Sequence, residues 1–278
     1  MKKTLWFIKQ SLLLDYKFFR VSRWSFSKKV KFLILKYFLI CKHSIKKFTL
    51  GKDFCYFDNK KIYYDSRFGV AGYQRILSTH QYLIELAKIH DVITVVDIGA
   101  NVGFFSKLCR DIFPESKIFS FEPVPKIFQC LENNFKGDAS TKVFNLGISD
   151  FNGEAKMNFN EQDSAISQIT DEGNIKIHVR KLDNIVKENN IKSIDILKLD
   201  TETFEAHVLR GGSNSLNKTK YLFMEITMEE DNHNYTISSL LKLLSTESYD
   251  FQLVAFRNYS DVGEGYMLIM DALFVNRK

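Results

Sequence analysis

Proline is scarce in this chain. Pro114, Pro123 and Pro125 are the only three, so no proline-rich linker divides it. The four cysteines, Cys41, Cys55, Cys109 and Cys130, stand far apart and form no C-x-x-C pair. That spacing offers neither a zinc site nor a disulfide framework, and it fits a reducing compartment. Long apolar runs are also missing. Lys31, Lys36 and Lys42 leave only four and five apolar residues between them, whereas a membrane span needs about 20. Lys9, Gln10 and Asp15 break the preceding stretch and no A-x-A site follows, so a secretory signal is not expected. Acids are nearly absent from residues 1–50, where Asp15 stands against 13 Lys and Arg. No internal repeat is visible.

The average charge therefore hides an asymmetry. Residues 1–50 carry a net charge of +12 and the remainder −6, within 278 residues that suit one large domain with an appendage. We expect a basic, aromatic, helical arm over 1–50 and a domain over 51–278. Trp6, Phe7, Phe18, Phe19, Trp24, Phe26, Phe32, Tyr37 and Phe38 interleave with the lysines of the arm. Such a pattern fits helices lying on an anionic membrane surface. The same apolar residues can pack on the chain's own domain or form a dimer contact, and both alternatives stay open. No DNA- or RNA-binding motif is present, so nucleic acid is not an expected partner. A cytoplasmic protein with its arm on the inner membrane face is the expectation.

The domain is organised around residues 92–103, VITVVDIGANVG. A β-branched run ends at Asp97, a Gly-rich turn follows, and a helix opens at Phe104. A nucleotide-like ligand binds at such a strand–turn–helix in α/β folds. Gly99 and Gly103 allow a positive φ or a close ligand approach. The turn is not the dinucleotide fingerprint, because Asn101 stands where that pattern needs a glycine. Asp97 puts a carboxylate before the turn, which repels phosphate and suits a cation. S-adenosylmethionine, with its sulfonium and ammonium, fits better than NAD. Glu122 ends a second apolar run and is placed to accept the ribose hydroxyls.

The spacing predicts a β-hairpin about Asp58-Asn59 and a helix over 74–89, with His80 a packed or surface residue. Strands are expected at 92–97, 117–121, 142–146, 194–199 and 221–226. Helices are expected at 104–112, 126–135, 182–189, just after Asp200, and at 237–247. Gly147-Ile148-Ser149-Asp150 reads as a turn after the third strand, with Asp150 either a turn former or a ligand contact. Two additional strands, 153–159 and 175–181, flank a polar loop, Glu161–Asn174, that could cover the acceptor. His178 is an exposed strand position. The pair 251–256 and 266–275 reads as a closing antiparallel hairpin. Strands alternating with helices give a doubly wound, mainly parallel α/β sheet. Asp97, Glu122, Asp150 and Asp200 all fall at strand carboxyl ends, where such sheets bind ligands.

VVDIGANVGFFS, FSFEP, NLGISD, VRKLDNIV and IDILKLDTETFEAHVLRGG, in this order and spacing, resemble the FkbM family of S-adenosylmethionine-dependent methyltransferases over roughly residues 92–227. The resemblance implies a Rossmann-like methyltransferase fold and methyl transfer to a hydroxyl, often on a sugar of a surface or lipid-linked glycan. Cofactor contacts are then expected from Asp97, Gly99, Asn101, Gly103, Glu122, Ile148, Ser149 and Asp150. An alcohol reacts only when its proton is taken, and Asp200 and Glu202 are best placed to take it. A magnesium ion on carboxylates is another means, and Glu225 could complete such a site, but no spacing indicates a metal. Glu205 reads as tying its helix to a neighbouring loop, and His207 is a reserve base. One departure stands out: the family reads D-x-E-G-x-E, and Thr203 occupies the glycine position. That branched side chain and the arm motivate an alternative, a non-catalytic methyltransferase-fold scaffold at the membrane.

Overall fold

The computed structural model describes residues 2–46, 48–65, 70–160, 168–170, 172–227, 237–260 and 269–278. The arm forms α1 (Lys2–Val21) and α2 (Phe26–Ile45), the latter capped by Ser25, whose hydroxyl accepts from the Lys28 amide. A hairpin follows, β1 (Phe54–Phe57) and β2 (Lys60–Tyr63). Its turn is Asp58-Asn59 at φ 53° and 61°, the two left-handed residues of a tight hairpin. After α3 (Ala71–Ala87), the alternating unit runs β3 (Thr94–Ile98), α4 (Phe104–Ile112), β4 (Lys117–Phe121), α5 (Pro125–Asn134) and β5 (Thr141–Phe144). Next come β6 (Gly147–Ser149), β7 (Gly153–Asn158), β8 (Gln168–Ile169), β9 (Ile175–Lys181) and α6 (Leu182–Glu188). The chain continues through β10 (Ile194–Leu199), α7 (Glu205–Arg210), α8 (Ser213–Leu216), β11 (Thr219–Thr227) and α9 (Ile237–Leu243). It closes with β12 (Phe251–Ser260) and β13 (Ile269–Asn276).

The main sheet has the order β12-β13-β11-β10-β3-β4-β5. The five strands from β11 to β5 are parallel, and β13 and β12 close the edge as an antiparallel pair. Alternation along the strands feeds two cores, one on each face. Val95, Ile118, Ile196 and Phe223 point toward α3 and α4. Val96, Phe119, Leu197 and Leu222 point toward α6, α7 and α9. The chain leaves β3 for β4 and β5, then returns to lay β10 on the other side of β3. This reversal opens a crevice at the carboxyl ends of β3 and β10.

One local outcome differs from the sequence expectation. Gly147–Ser149 is a strand, pairing parallel with β9, because Ile148 and Ser149 are buried and their backbone needs a partner. It belongs to a second sheet, β6-β9-β7-β8, which holds both additional strands. Residues 161–167 and 171 of the polar loop expected over the acceptor lie outside the described residues.

The arm packs on the domain. Phe18, Phe32 and Leu39 are buried in the same core as Tyr73 and Phe104. Ring contacts link Phe18 to Phe32, Phe32 to Tyr73, and Tyr73 to Phe104, the last a stack at 5.1 Å. Buried Asp15 accepts hydrogen bonds from Lys36 at 2.6 Å, from Gln74 of α3 at 2.7 Å and from the Tyr37 hydroxyl. Four arm cations are consumed by carboxylates: Arg23 by Glu85, Lys28 by Asp58, Lys36 by Asp15 and Lys42 by Asp53. Among the described residues, no helix is long and apolar enough to cross a membrane.

Candidate active site

A cleft of about 400 Å³ opens at the crevice, in the size range of small-molecule sites, ~300–1,000 Å³. Two turns form its floor. The first follows β3, with Gly99 at φ 72°, Asn101 at 52° and Gly103 at 88°. A Cβ built on Gly99 would lie 1.8 Å from the carbonyl oxygen of Asp200, so no side chain fits there. A Cβ on Gly103 would lie 2.5 Å from the Phe135 ring, so this glycine serves helix packing. The second turn follows β10, with Glu202 at φ 51° and Thr203 at 78°. A β-branched residue in that region is a strained outlier. Glu205 holds the turn, its Oε1 accepting from the Thr201 amide and hydroxyl, both at 2.9 Å. This is the tie between helix and loop expected of Glu205.

The cleft is lined by Gly99, Asn101, Glu122, Ile148, Asp200 and Glu202 among the residues singled out in the sequence. Glu122 is buried. Its Oε2 accepts from the Asn101 amide at 3.0 Å and its Oε1 from the Val124 amide at 2.8 Å. Burial pushes its pKa up to about 7, against the pull of those two amides. Each carboxylate oxygen has a second lone pair for a ligand hydroxyl.

Asp97, Gly103, Ser149 and Asp150 do not line the cleft. Asp97 is fully buried behind the turn, accepting from Ser106 Oγ at 2.5 Å and lying 3.5 Å from Lys198 Nζ. Asp150 accepts from the Ser149 hydroxyl at 3.2 Å and sits 3.0 Å from His207 Nδ1. The His207 ring stacks on Phe204 at 4.2 Å.

Lys198 escaped the sequence reading. In IDILKLD it looks like a lysine on a strand edge, yet it is buried and lines the cleft. Its ammonium lies 3.1 Å from Asp200 and donates to the Gly99 carbonyl at 3.2 Å, so it joins the two turns. Burial opposes its charge, but Asp200 and Asp97 outweigh that and raise its pKa. Burial likewise works against the Asp200 carboxylate, and Lys198 and Arg75 outweigh it and hold the pKa below normal. At Glu202 the pull of Arg75 is outweighed. Burial, then Asp200 and Glu225, push it up to about 9. Glu225, on β11, is pushed up to about 8 by burial and Asp200. A lysine flanked by two aspartates that sit two residues apart from it or one strand away was the available signal. Among the described residues, no group of three or more His, Cys, Asp or Glu side chains is arranged to hold a metal ion.

These residues fit S-adenosylmethionine: Gly99 keeps the turn open to a ligand, Glu122 offers acceptors for a diol, and Phe121, Leu146 and Ile148 supply apolar walls. The comparisons with known proteins agree. The model of the Methyltransferase FkbM domain matches residues 97–253. The chain is 26% identical over 174 residues to 2-O-methyltransferase NoeI of Sinorhizobium fredii, covering 55% of this chain and 71% of that one. It is 27% identical over 169 residues to hexuronic acid methyltransferase AglP of Haloferax volcanii, covering 59% and 68%. It is 25% identical over 173 residues to 31-O-demethyl-FK506 methyltransferase FkbM of Streptomyces tacrolimicus, covering 50% and 66%. A family match over more than half of the chain, on a sheet with its crevice at the same turn, leaves one assignment: the chain belongs to the FkbM family of S-adenosylmethionine-dependent methyltransferases.

Proposed function

We propose that the protein methylates a hydroxyl group of a sugar. The carrying observation is the meeting of the two turns, where Asp200 and Glu202 share one cleft with Gly99 and Glu122. The names of two relatives, a 2-O-methyltransferase and a hexuronic acid methyltransferase, support an oxygen acceptor and a sugar. When bound, S-adenosylmethionine supplies an electrophilic methyl group. Gly99, Asn101 and Glu122 hold and orient it. Asp200, fixed by Lys198, positions the acceptor hydroxyl, and Glu202 takes its proton. A carboxylate pushed up to about 9 is a strong base once ionised, so kcat/KM rises with pH through that value. The test is a pH–rate profile on methylated-sugar formation. Glu202→Gln removes the rise and costs about 10²–10⁴-fold in rate. A flat profile, or a Glu202→Gln variant with unchanged kinetics, overturns the assignment.

We place this acceptor in a lipid-linked glycan at an anionic membrane. The outer face of α2 supports this: Lys31, Ile34, Phe38, Cys41 and Ile45 recur at helical spacing, with Phe38 62% and Ile45 92% exposed. The full chain is expected to sediment with anionic vesicles, less so at high salt, and not with neutral ones. Replacing Ile34, Phe38 and Ile45 together by Ser should abolish sedimentation without lowering cofactor affinity. Undiminished sedimentation of that variant refutes the membrane contact.

A further inference from the structure

The cleft has two walls of different origin. The cofactor wall, Gly99 through Glu202, lies within residues 97–253. The opposite wall is built from Leu14 of α1, Asp65, and Ala71, Gly72, Arg75 and Ile76 of α3, all before the family domain begins. One residue of that wall is anomalous. Arg75 is half-exposed into the cleft, and its nearest charge is Glu225 Oε1, at 3.7 Å. It makes no hydrogen bond among the described residues. The contrast with Arg110 is sharp: that side chain donates to Asp138, Thr141 and the carbonyls of Pro114 and Ser116. A guanidinium carries five donors in a planar fork. Here the fork lines the cleft, and among the described residues its side chain is about half exposed. Lys198, the cleft's other cation, is already committed to Asp97, Asp200 and the Gly99 carbonyl.

We propose that Arg75 selects the acceptor, its guanidinium gripping an anionic oxyacid group, a carboxylate or a phosphate, on the sugar that is methylated. This rests on the sugar-methylation reading above. Three features keep the cation available. Asp200 is held directly by Lys198 at 3.1 Å, and Arg75 acts on it only through space. Glu202 and Glu225, pushed up to about 9 and about 8 by burial and by neighbouring carboxylates, are protonated near neutral pH. Asp65, the other charged residue of this wall, already has a partner. Ala71 and Gly72, one turn away on the same helix, line the cleft beside it with small residues.

The test uses the full chain saturated with S-adenosylhomocysteine and three probes: glucose, glucuronate and glucose 6-phosphate. Binding is followed by ligand-observed NMR at millimolar probe. We expect at least one acidic sugar to bind about 10- to 100-fold more tightly than glucose, as charged hydrogen bonds provide. The glucuronate and phosphate arms decide which oxyacid fits. Arg75→Gln should erase the preference, and Arg75→Lys, which keeps the charge but loses the fork, should retain only part of it. Both variants should keep the wild-type affinity for S-adenosylhomocysteine, which also reports that they fold. Equal binding of all three sugars, binding of none, or a preference surviving Arg75→Gln overturns the proposal. Should Arg75→Gln fail to fold, an undiminished preference in Arg75→Lys does the same. Wild-type protein that does not bind S-adenosylhomocysteine instead defeats the methyl-transfer reading beneath it.

Discussion

Two turns meet on the floor of the cleft, and they solve one backbone problem with different residues. The turn after β3 places glycine at φ 72° and 88° and asparagine at 52°. The turn after β10 reaches comparable angles with Glu202 and Thr203 and has no glycine. Glycine adopts that region freely, whereas a side chain there costs roughly 1–2 kcal/mol per residue. The first turn is thus relaxed and its shape is a matter of sterics, because Gly99 touches the Asp200 carbonyl. The second is strained and is held from outside by Glu205 and Lys198. The comparison teaches that position 203 carries a conformational demand that glycine would meet freely. Thr203 meets that demand at a cost in stability.

The largest expected effect comes from breaking the relaxed turn. Gly99→Ala drives a methyl into the Asp200 carbonyl at 1.8 Å, and the two turns must separate. We expect a destabilisation of about 4 kcal/mol or more, read as a fall in Tm of about 10 °C and loss of cofactor binding. A Gly99→Ala protein that melts like wild type would show that the turns do not touch.

The smallest effect, and the opposite sign, comes from relaxing the strained turn. Thr203→Gly should stabilise the protein by about 0.5–1 kcal/mol, the left-handed penalty less the extra chain entropy of glycine. Calorimetry should show Tm rising by about 2 °C. A fall in Tm would mean that Thr203 sits there without strain.

These turns also mark how far the sequence could be read. The first was legible because glycines after a β-branched run have few other uses, and Glu122 stood out as the carboxylate ending the next apolar run. The mainly parallel sheet with its closing antiparallel pair was legible from alternating strands and helices. The second turn was opaque, since nothing in Asp200-Thr201-Glu202-Thr203 announces a positive φ; only the resemblance to a glycine-bearing motif pointed there. Asp97 was read as facing a cation of the ligand, and the structure turns it inward onto Ser106 and Lys198. A strand residue's side is set by which neighbours it finds across the sheet, and β10 supplies a buried lysine at the paired position. Arg75 was invisible for a related reason: no local pattern shows that a helix before the domain will face a cleft made within it. The arm's packing followed the same rule, because Asp15 finds Gln74 only in three dimensions.

The central claim is that the cleft between the two turns holds S-adenosylmethionine with Glu122 as a principal contact. Isothermal titration of the full chain with S-adenosylhomocysteine, with NAD as the control, tests it most directly. We predict saturable binding of S-adenosylhomocysteine, none of NAD, and a loss of roughly 1.5–3 kcal/mol in Glu122→Ala, as for hydrogen bonds to a charged group. Binding of NAD alone, or wild-type affinity in Glu122→Ala, would contradict it.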